Sequence, residues 1–425
     1  MAAPETLSHA APAFNGRAPR HEVALAEART LVIERAAAAW RGGARCPLSR
    51  WPQLPALPVL AEGVRADRPW PPFRRAMRDG YALRMTDVAA PLRLCGEVLA
   101  GAASAPPCPP GGCLAIMTGA AVPEELDTVV MVENTCREGA LVTVRGGARR
   151  GENIAAAGSD SPSGAIVAAA GRRLAPAAVA ALASAGVADA LVMRPPRTAI
   201  LATGDELVPA TASPRPSQIR NSNGPMLAAQ CRRYGADVVC EQLLPDDTSK
   251  LELALDEAHH AAASLIVFSG GASVGSADLV AALLARRGIE LQFDAVRTRP
   301  GRPVLFGERD GRLYFGLPGN PLGALLACAL LVRPALELLG GLDATAVTTA
   351  TLAARLGFDY SGKPLNLESF LPVKLVAHGL SAEVHPLTYH GSADLAAAAA
   401  ADAFVHVPAG ATHLPAGTWV GIVQP

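Results

Sequence analysis

The chain has 425 residues with 38 Lys+Arg against 38 Asp+Glu, so it is formally neutral at pH 7; half its residues are apolar, 18% are charged and 4% aromatic. That length predicts about two to four domains, each able to bury its own core. Neutrality excludes a bulk electrostatic claim on nucleic acid or on an anionic membrane.

Residues Met1–Pro19 are rich in Ala and Pro, lack an apolar core of signal-peptide length and are expected to be disordered. From His21 to Trp40 the spacing predicts an amphipathic helix. Pro-rich text follows, then short β-like runs such as Leu92–Val98 and Thr128–Val132 between Gly/Pro clusters, so residues 50–150 read as a mostly-β region. A second apolar helix is expected from Ala175 to Ser184. From Pro196 strands and helices alternate: strands at Thr198–Ala202, Val238–Leu244, Ser264–Phe268, Leu291–Val296 and Leu313–Leu317, and helices at Gly224–Tyr234, Thr248–Ala262, Ala277–Arg287 and Pro321–Leu339. This rhythm predicts βαβ units and a parallel, doubly wound sheet. After Gly341 the pattern returns to β, with strands at Glu368–Val376, Ala382–Leu387, Ala403–Val407 and Trp419–Val423. The longest strongly apolar stretch, Leu322–Val332, is about half a bilayer span and ends at Arg333. The eight cysteines form no C-x-x-C pair, so neither zinc nor a disulfide framework is predicted, and the chain is expected to be cytoplasmic.

In an open α/β sheet, ligands bind beyond the carboxyl ends of the strands. Five loops lie at such ends: Thr203-Gly204-Asp205-Glu206-Leu207, Pro245-Asp246-Asp247, Ser269–Asp278, Arg299-Pro300-Gly301-Arg302-Pro303 and Gly316–Pro321. Glycine turns entering helices offer backbone N–H groups to phosphate. Glu206, Asp246 and Asp278 would repel a bare phosphate but suit one bridged by a divalent cation. Arg297, Arg299 and Arg302 could hold a second anion. Each loop alone also fits an ordinary turn, and Asp246 or Asp278 could cap the helix that follows. Arginine excess has a plain source too: 35 of the basic residues are Arg, and only Lys250, Lys363 and Lys374 are lysine, as GC-rich coding would give.

As an ordered set these loops resemble the MoeA-type molybdopterin molybdenumtransferases, which include the E domain of gephyrin. Upstream, Asp79-Gly80-Tyr81-Ala82 resembles that family's D-G-Y-A motif and Met117-Thr118-Gly119-Ala120 its T-G-A block. Gly158-Ser159-Asp160 sits where the family has G-E-D, and Gly391-Ser392 resembles its C-terminal Gly-Ser. The resemblance implies a multidomain α/β protein: a central doubly wound MoaB/Mog-like domain (195–340), an inserted β-rich domain (50–150), a helical dimerisation segment (20–49 and 151–194) and a C-terminal β-barrel-like domain (341–425). It implies a homodimer with active sites shared between subunits. The implied reaction takes adenylylated molybdopterin and molybdate, with Mg²⁺, to molybdenum cofactor and AMP. An adenylyltransferase and recipient molybdoenzymes are the implied protein partners. Carried over residue by residue, Glu206, Asp246 and Asp278 would serve the metal, with Asp79, Thr118 and Asp160 arriving from the partner subunit as catalytic residues. Substrate would be bound by Thr203, Gly204, Ser269, Gly270, Gly271, Ser273 and Gly275, by Arg299 and Arg302, by Pro318, Gly319, Asn320 and Pro321, and by Ser392.

The chain departs from the family's pattern at several positions. Arg299 and Arg302 replace lysines beside Pro-Gly, Ala295 replaces a nearby lysine, and Asn221 stands where Asp often occurs. Ser159 replaces Glu, Ala155 and Pro372 fall where Arg is usual, and Arg78 precedes Asp79 in place of Met. Ala295, Ser159 and Pro372 motivate a rival reading, a pterin-binding carrier or scaffold without turnover. A nucleotide pyrophosphatase or adenylyltransferase on a related α/β fold is a third.

Overall fold

The computed structural model describes residues 21–39, 45–47, 49, 58–187, 189–270, 277–347, 352–378 and 381–425. The chain divides into two compact units: one holds residues 62–170 and 174–190, and the other holds the described parts of the remainder.

The larger unit is built on a six-stranded sheet: β1 (Arg197–Thr203), β2 (Asp237–Leu244), β3 (Leu265–Ser269), β4 (Glu290–Phe293), β5 (Leu305–Arg309) and β6 (Arg312–Leu317). The strand order is 2-1-3-6-5-4; β2, β1, β3 and β6 run parallel, while β5 and β4 add antiparallel at one edge. From β1 the chain builds outward to β2, then returns to place β3 on the other side, so strand order reverses at β1/β3. Both faces of the sheet are covered. Ile200, Val267, Phe306 and Phe315 face a core shared with the helices Leu25–Ala39, Asn223–Arg233 and Pro321–Ala327. Ala199, Leu201, Phe268 and Tyr314 face the helices Thr248–His260 and Ala277–Arg286. Two-sided burial explains why these strands read as continuous apolar runs rather than alternating ones.

Several expected elements differ in form. The N-terminal helix spans Leu25–Ala39, and it buries Leu25, Ala28, Val32 and Ala36, an i, i+3, i+4 stripe in which small alanines do half the packing. The strand expected at Leu291–Val296 splits, because Asp294 donates its N–H to the His21 carbonyl (3.2 Å) and Ala295–Val296 pairs instead with Glu22–Val23. The helix expected over Pro321–Leu339 forms with those bounds, though not as a regular α-helix throughout. A π turn over Cys328–Val332 carries it on to Leu339, with the Arg333 N–H donating to the carbonyl five residues back. Pro334 gives the reason, since its missing N–H and ring cannot continue an α ladder. The full run Pro321–Leu339 has the length and hydropathy of a bilayer span, yet it is mostly buried inside its unit, where Arg333 pairs with Glu337 at 2.9 Å. It is a core helix.

Five further strands close a small barrel: Glu368–His378 pairs on one side with Ser381–Pro386 and on the other with Ala403–Val407, and Leu352–Leu356 and Trp419–Val423 complete the ring. Leu356, Val373, Val384, Val405 and Ile422 fill it. The smaller unit holds a separate six-stranded, mostly antiparallel sheet that includes Gly80–Leu83, Leu92–Val98, Gly112–Ile116 and Thr128–Met131. Its core gathers Ala82, Val98, Leu114, Ile116, Leu126 and Val129.

The aromatic centre of the larger unit gives a direct stability test. Phe306 is fully buried, with ring centroids 5.5 Å from Phe293 and 4.9 Å from Phe315. Phe306→Ala is expected to cost about 3–5 kcal/mol in urea unfolding of this unit.

Candidate active site

Thr203 ends β1 with 2% of its surface exposed. Its Oγ1 donates to Asp246 Oδ1 at 2.7 Å, with the Pro245 carbonyl a second acceptor at 3.3 Å. Asp246 in turn donates its N–H to Asp205 Oδ1 (3.1 Å), and Gly204 donates its N–H to the Leu244 carbonyl (3.2 Å). The exits of β1 and β2 are thereby tied together. Asp247 caps the next helix, accepting from the N–H groups of Ser249 and Lys250, so Asp246 is spared the capping role its position suggested.

Ser269 ends β3 almost wholly buried. Its Oγ accepts from Asn223 Nδ2 at 3.0 Å, and the same amide donates to the Gly319 carbonyl at 2.8 Å. Asn223 thus joins the β3 exit to the turn after β6. The Gly319 contact fixes the orientation of the amide, since only the nitrogen can donate to a carbonyl. Asn223 Oδ1 is left buried with no hydrogen-bond partner. Next to Ser269, Gly270 has φ +88°, and a Cβ there would collide with the Thr203 carbonyl oxygen. The backbones leaving β1 and β3 touch.

Above them opens a cleft of about 470 Å³. Of the residues expected to bind substrate, Thr203, Ser269, Gly270, Gly319, Asn320 and Pro321 line it, together with Glu206. The Glu206 carboxylate lies over Gly204, where a Cβ would stand 2.8 Å from each of its oxygens. It makes no hydrogen bond or ion pair among the described residues. Pro318 is buried beneath the turn. Asp246 lies behind Thr203 rather than on the wall, and its Oδ2 has no partner among the described residues. Gly271, Ser273, Gly275 and the side chain of Asp278 lie outside the described residues, and among those described no three His, Cys, Asp or Glu side chains converge as a metal site.

The arginines expected to bind anions separate. Arg302 is held by Glu22 in a two-point ion pair, Nε–Oε1 at 2.6 Å and Nη2–Oε2 at 3.2 Å. Arg299 is exposed on a short ladder with Ser369 of the barrel and has no ion-pair partner among the described residues. Neither lines the cleft. Between them Gly301, at φ +95°, packs against Gly323, where a Cβ on Gly301 would stand 3.1 Å from the Gly323 carbonyl oxygen and one on Gly323 3.3 Å from the Gly301 backbone. Ser392 takes part through its backbone: its carbonyl accepts the Leu322 N–H (3.0 Å), and the following Ala393 and Leu395 form a wall of the cleft. Sequence reasoning missed these two, along with Arg220 and Asn223, and marked Asn221 only as a departure from the family's Asp. His259, on the helix Thr248–His260, is half-buried, with Nε2 3.0 Å from the Tyr314 hydroxyl; burial, then Arg312, lowers its pKa.

In the smaller unit Asp79 and Thr118 meet: Asp79 Oδ1 accepts from both the backbone N–H (2.6 Å) and Oγ1 (2.7 Å) of Thr118. The backbone bond, then the hydroxyl, lowers the Asp79 pKa from the ordinary carboxylate value. Asp160 stands apart from that pair on a second cleft, of about 320 Å³, facing Arg75 at 3.6 Å.

Residues 23–186 match the model of the MoeA N-terminal region (domain I and II), 199–338 that of a probable molybdopterin binding domain, and 353–424 that of the MoeA C-terminal region (domain IV). The chain is 30% identical over 372 residues to the molybdopterin molybdenumtransferase of Staphylococcus aureus strain Mu50, covering 86% of this chain and 88% of the relative. It is 31% identical over 376 residues to that of Staphylococcus epidermidis strain RP62A, with the same coverage. A crystal structure of the molybdopterin biosynthesis MoeA protein from Pyrococcus horikoshii superimposes with a TM-score of 0.76 at 25% identity, over 95% of this chain and 100% of that one. Another crystal structure of a molybdopterin biosynthesis MoeA protein from Pyrococcus horikoshii gives 0.70 at 28% identity, over 95% and 98%. The order of the three matched regions defines the architecture as MoeA-like. The chain belongs to the MoeA-type molybdopterin molybdenumtransferase family.

The Asp79–Thr118 contact is open to titration. Thr118→Val removes the hydroxyl donor and keeps the backbone one, so the Asp79 pKa measured by NMR is expected to rise toward, but not reach, the ordinary carboxylate value. The sign follows from linkage: a carboxyl lowered in the folded state stabilises the fold above its unfolded pKa and loses that contribution as pH falls through the lowered value.

Proposed function

We propose that this chain acts in molybdenum cofactor biosynthesis, taking adenylylated molybdopterin and molybdate to molybdenum cofactor and AMP. The observation that carries this reading is the cleft at the β1/β3 reversal, walled by small and hydroxyl groups, with the unpaired carboxylate of Glu206 at its side. Two carboxylates with free oxygens, Glu206 and Asp246, suit Mg²⁺, which takes few protein ligands and shares its remaining positions with water and substrate phosphates. Asp278 would join them. An ion held there would neutralise the pyrophosphate charge. Thr203 holds Asp246 in place through its hydroxyl, and Asn223 holds the Ser269 and Gly319 turns against the pterin. Arg299 offers a guanidinium to the molybdate oxyanion. No protein nucleophile is needed, because the dithiolene sulfurs of the substrate bind the molybdenum. We place the reaction in the cytoplasm and in a homodimer, with Asp79, Thr118 and Asp160 of a second copy completing each site. An adenylyltransferase supplies the substrate and molybdoenzymes receive the product.

The reaction is tested with purified protein, adenylylated molybdopterin, molybdate and Mg²⁺. AMP release that depends on molybdate, and a drop of roughly 10²-fold or more in Glu206→Ala, are expected. Tight pterin binding without AMP release, unchanged in Glu206→Ala, would point to a carrier instead. Shared sites predict complementation. Glu206→Ala and Asp79→Ala homodimers are each inactive, while a randomly mixed population recovers about a quarter of wild-type activity, since half the dimers are mixed and each has one intact site. No recovery would mean that each subunit works alone.

A further inference from the structure

Two charged side chains line the cleft, Glu206 and Arg220. Arg220 belongs to a small ladder in which Leu207–Val208 runs parallel to Ile219–Arg220, and Glu206 immediately precedes Leu207. Backbone bonds pin that ladder on either side of Arg220: Ile219 N–H to the Glu206 carbonyl (2.8 Å) and Asn221 N–H to the Val208 carbonyl (2.9 Å). The Arg220 side chain is anchored as well, because Nε donates to the Ala212 carbonyl at 3.0 Å. Its two Nη groups have no acceptor among the described residues, and it forms no ion pair with Glu206. The neighbouring Asn221 accepts the Gly224 N–H at 2.9 Å, capping the helix as an aspartate would while adding no negative charge beside the guanidinium. Arg302 is committed to Glu22, and Arg299 lies off the cleft wall.

We propose that Arg220 binds a phosphate of the substrate in this cleft through its two Nη groups, opposite the metal-holding Glu206. The inference rests on the reading that an adenylylated pterin occupies the cleft. A guanidinium with Nε tied back and both Nη groups free is a preset fork for two phosphate oxygens, which an ammonium cannot reproduce. The phosphate could be that of the nucleotide or that of the pterin side chain, and the two have the same chemistry.

Calorimetric titrations of AMP and, separately, of molybdopterin into wild type, Arg220→Ala, Arg220→Lys and Arg197→Ala decide the matter. Arg197, at the opposite end of β1, controls for the loss of one positive charge. Arg220→Ala is expected to weaken binding of at least one of the two ligands by about tenfold or more, Arg220→Lys to recover only part of it, and Arg197→Ala to have no effect. A loss confined to AMP assigns the nucleotide phosphate; a loss confined to molybdopterin assigns the pterin phosphate. Wild-type affinity of Arg220→Ala for both ligands, an equal loss in Arg197→Ala, or no binding of either ligand by the wild type would overturn the proposal. These titrations involve no turnover. Failure of wild type to release AMP would count against the enzymatic reading, whereas unchanged binding in Arg220→Ala beside normal turnover would count against Arg220 alone.

Discussion

The site depends on one close backbone approach. Where β1 and β3 end, Gly270 lies against the Thr203 carbonyl so tightly that no side chain fits at that position. The two strand ends meet at this point, and Thr203 and Gly270 lie on the floor of the cleft. The rest of the arrangement follows from holding that floor in place. Thr203 reaches sideways to Asp246, Asn223 bridges Ser269 to Gly319, and a Cβ on Gly319 would already stand at contact distance from Gly270. Buried Asn223 serves three elements with one amide group, so the β3 exit, the turn after β6 and the start of the helix at Asn223 must move as a set.

A second approach of the same kind links the barrel to this floor. Gly301 packs on Gly323, the ladder Thr298–Arg299 runs beside Glu368–Ser369, and the Ser392 carbonyl accepts from Leu322. The C-terminal domain therefore contributes Ala393 and Leu395 to the cleft wall by backbone geometry rather than by a reactive side chain.

How far the sequence speaks for this can be judged residue by residue. The α/β rhythm is legible because strands buried on both faces are short apolar runs between helices with clear ends. Ala403–Val407 and Trp419–Val423 form with the bounds their patterns suggest. The strand Leu305–Arg309 is not legible, because Gly307 and two charged residues dilute its apolar signal, and its place comes from pairing with β6 on one side and β4 on the other. The glycine and proline motifs point correctly to the cleft, since they mark backbone positions that few other residues can occupy. Side-chain commitments are harder to read. Nothing local shows that Arg302 meets Glu22, 280 residues away in sequence. That distant pair removes one of the three arginines expected to act together. Ala295, conspicuous for the missing lysine, is fully buried in its ladder with Glu22. Arg220 and Asn223 carry no motif of their own chemistry, and folding alone brings them to the wall.

The balanced charge of the chain thus resolves into a local arrangement, with one free carboxylate and one free guanidinium facing a neutral, glycine-floored cleft. Hydrogen exchange measured by mass spectrometry, with and without adenylylated molybdopterin, tests that account most directly. Protection concentrated in residues 203–207, 219–224 and 317–322 is predicted. Protection that leaves these segments unchanged and falls only within the barrel strands would contradict it.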